Sequence, residues 1–138
     1  MFIGLDLGTS GIRALLVREN GTVLHSAEAE LPVAHPHPGW SEQNPADWIS
    51  TARQAIRALG QMAPADMARL RGIGLSGQMH GATLLDNEGT VLRPCILWND
   101  TRSQVQADRL DATDGFRDIT GNIVFPGFTA PKLAWLAE

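Results

Sequence analysis

The sequence predicts an α/β domain in which a sheet of mixed direction, carrying two hairpins, is flanked by helices. Three features carry that expectation. Phe2–Leu5 and Ile12–Val17 are short apolar runs on either side of a glycine-rich loop, and Asn20-Gly21 then turns the chain into a third run over 23–30. The same design recurs later: an apolar run at 72–76, a loop of special residues at 77–81, an outgoing run at 82–85, a turn at 86–89 and a return from Val91. Between the two lies a segment with helical start chemistry and helical periodicity.

The first loop is built to hold an anion. In Gly4-Leu5-Asp6-Leu7-Gly8-Thr9-Ser10-Gly11-Ile12-Arg13, Gly8 and Gly11 let backbone N–H groups approach a phosphate, Thr9 and Ser10 add hydroxyl donors, and Arg13 adds a fixed positive charge. Asp6 at the mouth of the loop suits a metal ion or its waters, since a carboxylate and a phosphate repel without a cation between them. A P-loop would need Gly-x-x-x-x-Gly-Lys-Ser/Thr, and no Lys occurs before Lys132; a Rossmann fingerprint would open a helix, whereas β-branched and aliphatic residues follow here. A phosphate loop closed by a strand, with an Asp ending the strand before it, resembles the ribonuclease-H-like ATPase fold of actin, hexokinase and the heat-shock chaperones. The bland reading of the same residues is an ordinary glycine-rich hairpin.

Leu31–Asn44 holds Pro32, Pro36, Pro38 and Gly39 and reads as an extended loop, pinned by the apolar face of Trp40. His35 and His37 sit two apart in it, without a third ligand cluster nearby, and read as solvent-exposed rather than metal-binding. Asn44-Pro45-Ala46-Asp47 starts a helix with an Asn cap, a Pro at the first position and an acid at the positive end of the dipole. Trp48, Ala52, Ile56 and Leu59 then share one face, and Gly60 is the expected stop. A short second helix over 64–71 delivers the chain into the strand at 72–76.

Gln78 and His80 lie between glycines at the end of that strand, where open sheets present their ligands. Each can donate and accept a hydrogen bond, as a sugar hydroxyl requires, although a lone His can equally be a satisfied structural residue. Ile96-Leu97-Trp98-Asn99-Asp100-Thr101-Arg102 ends an apolar run in polar groups; Asp100 either caps the next helix, with its stripe of Val105 and Leu110, or binds substrate with Asn99. The loop at 120–128 is expected to wall a pocket. Thr129 reads as the cap of a last helix with Pro131 in its first turn, and the absence of a closing Gly suggests the front portion of a longer protein.

Length and composition fit these elements. The chain has 138 residues, 43% hydrophobic and 19% charged, enough for one ordinary globular domain with a real core. A net charge of −4 with scattered arginines argues against a nucleic-acid or anionic-membrane surface. One cysteine, Cys95, rules out an intrachain disulfide and reads as a small core residue. Met1 runs straight into a strand without a basic leader, and no apolar run approaches the roughly 20 residues that span a bilayer, so the expected setting is cytoplasmic.

Ile3–Gly11, Pro38-Gly39-Trp40-Ser41-Glu42-Gln43, Gly77-Gln78-Met79-His80-Gly81, Leu97-Trp98-Asn99-Asp100 and Pro126–Lys132 together resemble the N-terminal domain of the FGGY carbohydrate kinases. The Gln-Met-His-Gly segment favours the members that act on xylulose. The resemblance implies phosphoryl transfer from ATP with Mg²⁺ to the 5-hydroxyl of D-xylulose. It makes Asp6 the acidic residue that matters for activity near phosphates and metal, puts Thr9, Ser10 and Arg13 in the phosphate loop, and sets Met79 with His80 against the sugar. The base that takes the sugar proton and the adenine-binding domain are then expected beyond residue 138, and the segment alone is expected to be inactive. Surfaces a further domain would cover leave the edge near 129–138 for association with a second copy, a homodimer. Two other readings stay open: an FGGY kinase for another pentulose or polyol, and a non-catalytic actin-like nucleotide-binding module.

Overall fold

Alternation within Gly11–Val17 decides the first layer: Ile12, Ala14 and Leu16 fall on one side and are buried, while Arg13 falls on the other and is exposed. In the computed structural model, which describes residues 1–138, the elements in chain order are β1 (Phe2–Leu7), β2 (Gly11–Val17), β3 (Val23–Glu30), β4 (Glu42–Gln43), α1 (Pro45–Met62), α2 (Pro64–Met67), β5 (Gly72–Gly77), β6 (Cys95–Ile96), α3 (Gln104–Asp111), α4 (Phe116–Thr120) and α5 (Thr129–Leu136). They group into two units, Met1–Pro32 with Pro45–Gln78 and Val33–Asn44 with Met79–Glu138.

The first unit holds a mixed sheet of order β3-β2-β1-β5, antiparallel except for the β1–β5 pair. The turn between β2 and β3 is the Asn-Gly turn: Gly21 takes φ +84°, and Asn20 Oδ1 accepts the Thr22 N–H at 3.1 Å. Parallel β1 and β5 need a crossover, and α1 with α2 supplies it. Helix α1 packs on β2 and β3, burying Thr51, Ala55 and Leu59, with Trp48, Ala52 and Ile56 half-buried beside them. Trp48 therefore packs against the core, as its helical spacing suggests. Gly60 does not end the helix. Pro64 does, since the residue before a proline is pushed out of the helical region, and Ala63 has φ −142°. Ile3, 1% exposed, is at the centre of this core, and Ile3→Val is expected to cost about 1 kcal/mol in urea unfolding through one lost methylene.

The second unit has a smaller frame. Glu42–Gln43 pairs antiparallel with Cys95–Ile96, and single bridges join Ala34 to Glu42 and Ala82 to Ile96. The expected second hairpin forms its turn, in which Asp86 Oδ1 accepts the N–H groups of Glu88 and Thr90 at 2.9 and 2.8 Å, but only one bridge, Leu85 to Val91. Its return run reaches Pro94, which has no N–H for a ladder, before regular strand resumes at Cys95. Cys95 is 1% exposed, the small core residue the sequence suggests, and burial pushes its thiol up. Helix α3 packs on α5 through Gln106 and Ala107, while Val105 of the expected stripe is 71% exposed. The buried face instead carries Gln106, whose Nε2 donates to Glu138 Oε2 at 2.7 Å. The residue before α5 with extended backbone is Phe128, so the cap position lies one residue before Thr129. No helix is long and apolar enough to cross a membrane.

Candidate functional site

In the first unit, strand register lines up one polar row across the sheet. Glu28 on β3 faces Arg13 on β2, Arg13 faces Asp6 on β1, and Asp6 faces Ser76 on β5. Ser76 Oγ donates to Asp6 Oδ1 at 2.7 Å. Arg13 donates through Nε at 2.7 Å to Glu28 Oε1, with Nη2 at 2.6 Å from the same oxygen. The side chains of that pair are 59% and 62% exposed, so the pair is weak: Glu28→Gln is expected to change stability by less than about 1 kcal/mol in thermal unfolding. Arg13 can therefore exchange this partner for another anion at little cost.

The loop after β1 closes tightly, the Gly8 N–H donating to the Gly11 carbonyl at 2.9 Å and the Leu31 N–H to the Ser10 carbonyl at 3.0 Å. A Cβ on Gly11 would lie 2.8 Å from the Ala29 carbonyl oxygen, so only glycine fits there. Asp6, Gly8, Ser10, Gly11, Arg13 and Glu28 line a cleft of about 750 Å³. Thr9 Oγ1 turns to Gln78 Oε1 at 3.2 Å, and the Gln78 N–H donates to the Leu7 carbonyl at 2.9 Å. Gln78, read in the sequence beside His80, thus belongs with the glycine loop, and the boundary between the units falls directly after it.

In the second unit, Met79, His80, Trp98, Asn99, Phe125 and Phe128 line a mostly apolar cavity of about 470 Å³. Met79 is 69% exposed on its wall. His80 adopts φ +63°, and its ring lies 4.7 Å from that of Phe128, which meets Phe125 edge to face at 5.7 Å. Lys132 is fully buried beneath these loops and donates to the carbonyl of His80 at 3.0 Å and to that of Gly127. Burial pushes its ammonium down to about 8.

Asp100 touches the cavity, but its carboxylate is completely buried and spent on the chain's own donors. Oδ2 accepts the Ser41 N–H at 2.6 Å and Arg102 Nη2 at 2.7 Å, and Oδ1 accepts the N–H and Nε of Arg102, both at 2.9 Å. Burial raises the Asp100 pKa, and the bonds from Arg102 and Ser41 outweigh it, holding the carboxyl below its ordinary value. It neither caps α3, whose preceding residue is Ser103, nor presents its oxygens to the cavity; it staples the 39–43 loop instead. Arg102 also sits 2.8 Å from Glu42 Oε1 and 3.6 Å over the Trp40 ring. Trp40 is thus pinned through its face, as its size suggests, while His35 and His37 remain exposed.

The sequence profile of the FGGY family of carbohydrate kinases, N-terminal domain, matches residues 1–138. The chain belongs to this family. This FGGY chain is 50% identical over 137 residues to xylulose kinase of Klebsiella pneumoniae, covering 99% of itself and 28% of that protein. Xylulose kinase of Escherichia coli (strain K12) is 47% identical over the same coverage. Among solved structures, a xyloylose kinase from Brucella ovis aligns with TM-score 0.96 and 64% identity, over 98% of the FGGY chain and 28% of the other. Xylulose kinase from Rhodospirillum rubrum aligns with TM-score 0.89 and 37% identity, over 97% and 28%. The FGGY chain therefore has the ribonuclease-H-like fold of these kinases, and it spans 28% of the length of the curated relatives it matches.

Arg102, Lys132, Glu28 and Ser76 carry much of the local geometry and were not legible as site residues. Lys132 offered one signal, a single cation in the otherwise apolar start of a helix.

Proposed function

We propose that the chain forms the N-terminal part of an FGGY kinase that transfers a phosphoryl group from ATP, with Mg²⁺, to D-xylulose in the cytoplasm. The observation that carries this reading is the 50% identity to a xylulose kinase across nearly the whole chain. The chemistry of the residues supports it. Gly8, Thr9, Ser10 and Gly11 offer backbone approach and hydroxyls to phosphates, and Arg13 exchanges its weak Glu28 partner for a phosphate oxygen. No group of three or more His, Cys, Asp or Glu gathers closely enough to hold a metal by itself, and of the carboxylates lining the cleft Glu28 is paired with Arg13 and Glu30 lies beyond it on β3, which leaves Asp6 at the end of β1 beside the glycine loop. That fits Mg²⁺, which takes one or two protein carboxylates and completes its shell with phosphate oxygens and water. Asp6 would hold it directly or through water, and the ion would supply neutralisation of phosphate charge.

Met79 and His80 would meet the sugar in the aromatic cavity. With the Asp100 carboxylate spent on Arg102 and Ser41, the base for the sugar hydroxyl would come from outside residues 1–138, and the segment alone would not turn over. ADP formation by the full-length protein, measured with D-xylulose, D-ribulose and glycerol, tests the reading. The highest kcat/KM is expected with D-xylulose. Preference for another acceptor would move the assignment to a neighbouring sugar, and nucleotide turnover indifferent to any acceptor would favour an actin-like nucleotide switch.

A further inference from the structure

We propose that Lys132 is a positioning residue of the sugar cavity, its ammonium tying the His80 carbonyl to the Gly127 carbonyl so that the two loops walling the cavity hold one separation. The inference rests on the reading of that cavity as the sugar site. Lys132 is the chain's single lysine, fully buried on α5, and its Nζ partners are main-chain carbonyls rather than a carboxylate. Burying an ammonium against neutral dipoles is a poor way to gain stability. It is an effective way to fix two segments far apart in sequence, because one rigid donor group then defines both.

Both carbonyls belong to residues with special backbones. His80 is held at φ +63°, which a non-glycine residue adopts only under constraint, and the carbonyl of that same residue is the one Lys132 takes. Gly127 lies so close to the Trp98 carbonyl that a Cβ there would collide with it. The tie is made where the His80 and Phe128 rings meet at 4.7 Å, so the placement of the His80 ring toward a sugar depends on the backbone Lys132 fixes. The titratable groups around Lys132 are Asp100, Arg102 and the neutral thiol of Cys95, with Glu42 and Arg93 beyond Arg102, and Asp100 is already bonded to Arg102.

The test uses Lys132→Met, which keeps length and removes the donor, and Lys132→Gln, which keeps a donor without charge, both in the full-length protein. In the Met variant KM for D-xylulose is expected to rise about 10- to 100-fold, with KM for ATP changing less than about twofold and partial recovery in the Gln variant. An unchanged xylulose KM in a folded Met variant, or equal rises in both KM values, overturns the role. If neither variant folds, Lys132→Arg decides: it keeps a buried cation but changes the donor geometry between the two carbonyls, so a raised KM for D-xylulose with KM for ATP unchanged is expected, and wild-type values for both overturn it. His80→Gly separates the two claims. Xylulose binding undisturbed by His80→Gly would remove the sugar site itself, whereas binding lost in His80→Gly and kept in Lys132→Met would remove only the role of Lys132.

Discussion

Asp6→Asn in the full-length protein is expected to slow xylulose phosphorylation by about 10³-fold while leaving the fold intact. Asparagine matches the volume and keeps an Oδ1 acceptor for the Ser76 hydroxyl, 2.7 Å away, so the row across the sheet persists. Only the negative charge goes. Asp6 is exposed, so its loss costs little stability, but the other carboxylates lining the cleft, Glu28 and Glu30, are on β3 rather than on β1, and Glu28 is paired with Arg13. Steady-state kinetics should show kcat falling with KM for D-xylulose nearly unchanged, and thermal unfolding should show no shift. A rate within tenfold of wild type would remove Asp6 from the reaction.

Arg102→Met is expected to destabilise the protein by about 3–5 kcal/mol in urea unfolding. The Arg102 side chain is 1% exposed, and it partners Asp100, 0% exposed, and Glu42, 11% exposed. Removing its guanidinium leaves the buried Asp100 carboxylate with only the main-chain N–H groups of Ser41 and residue 102, without a counter-charge, and leaves Glu42 with Arg93 alone. The pH dependence follows from Asp100. Its folded pKa is depressed below 3.8, so the stability it contributes is fully present above that ordinary value and is lost as pH falls through the lower folded value. In the Arg102→Met variant this acid-range loss should shrink, since the guanidinium that does most to depress the pKa is gone while the main-chain N–H donors remain.

Local chemistry made much of this legible. The glycine loop with Asp6 needs only contiguous residues; β1, β2 and β5 are short runs rich in apolar residues, and β3 follows the Asn-Gly turn with buried Ala27 and Ala29 alternating with Glu28 and Glu30. The second hairpin looked equally regular, but its return run meets Pro94 too soon. The Arg13–Glu28 pair was hidden by register. Continuing from the Val17–Val23 pair, Arg13 would face Ala27; a bulge between Leu16 and Val17 shifts the ladder by one and brings Glu28 opposite. Arg102 and Lys132 were illegible for a different reason: their partners Glu42 and His80 arrive from distant segments of the second unit, and only tertiary packing joins them.

Calorimetric titration of D-xylulose into the full-length protein, wild type against His80→Gly, tests the sugar assignment most directly. Glycine accepts the positive φ at this position, so the backbone that Lys132 holds is preserved while the ring is removed. Binding by wild type that weakens at least about tenfold in the variant is expected, the equivalent of losing one hydrogen bond and its stacking contact. Equal affinity in the two proteins would place the sugar away from the His80 cavity and contradict the account.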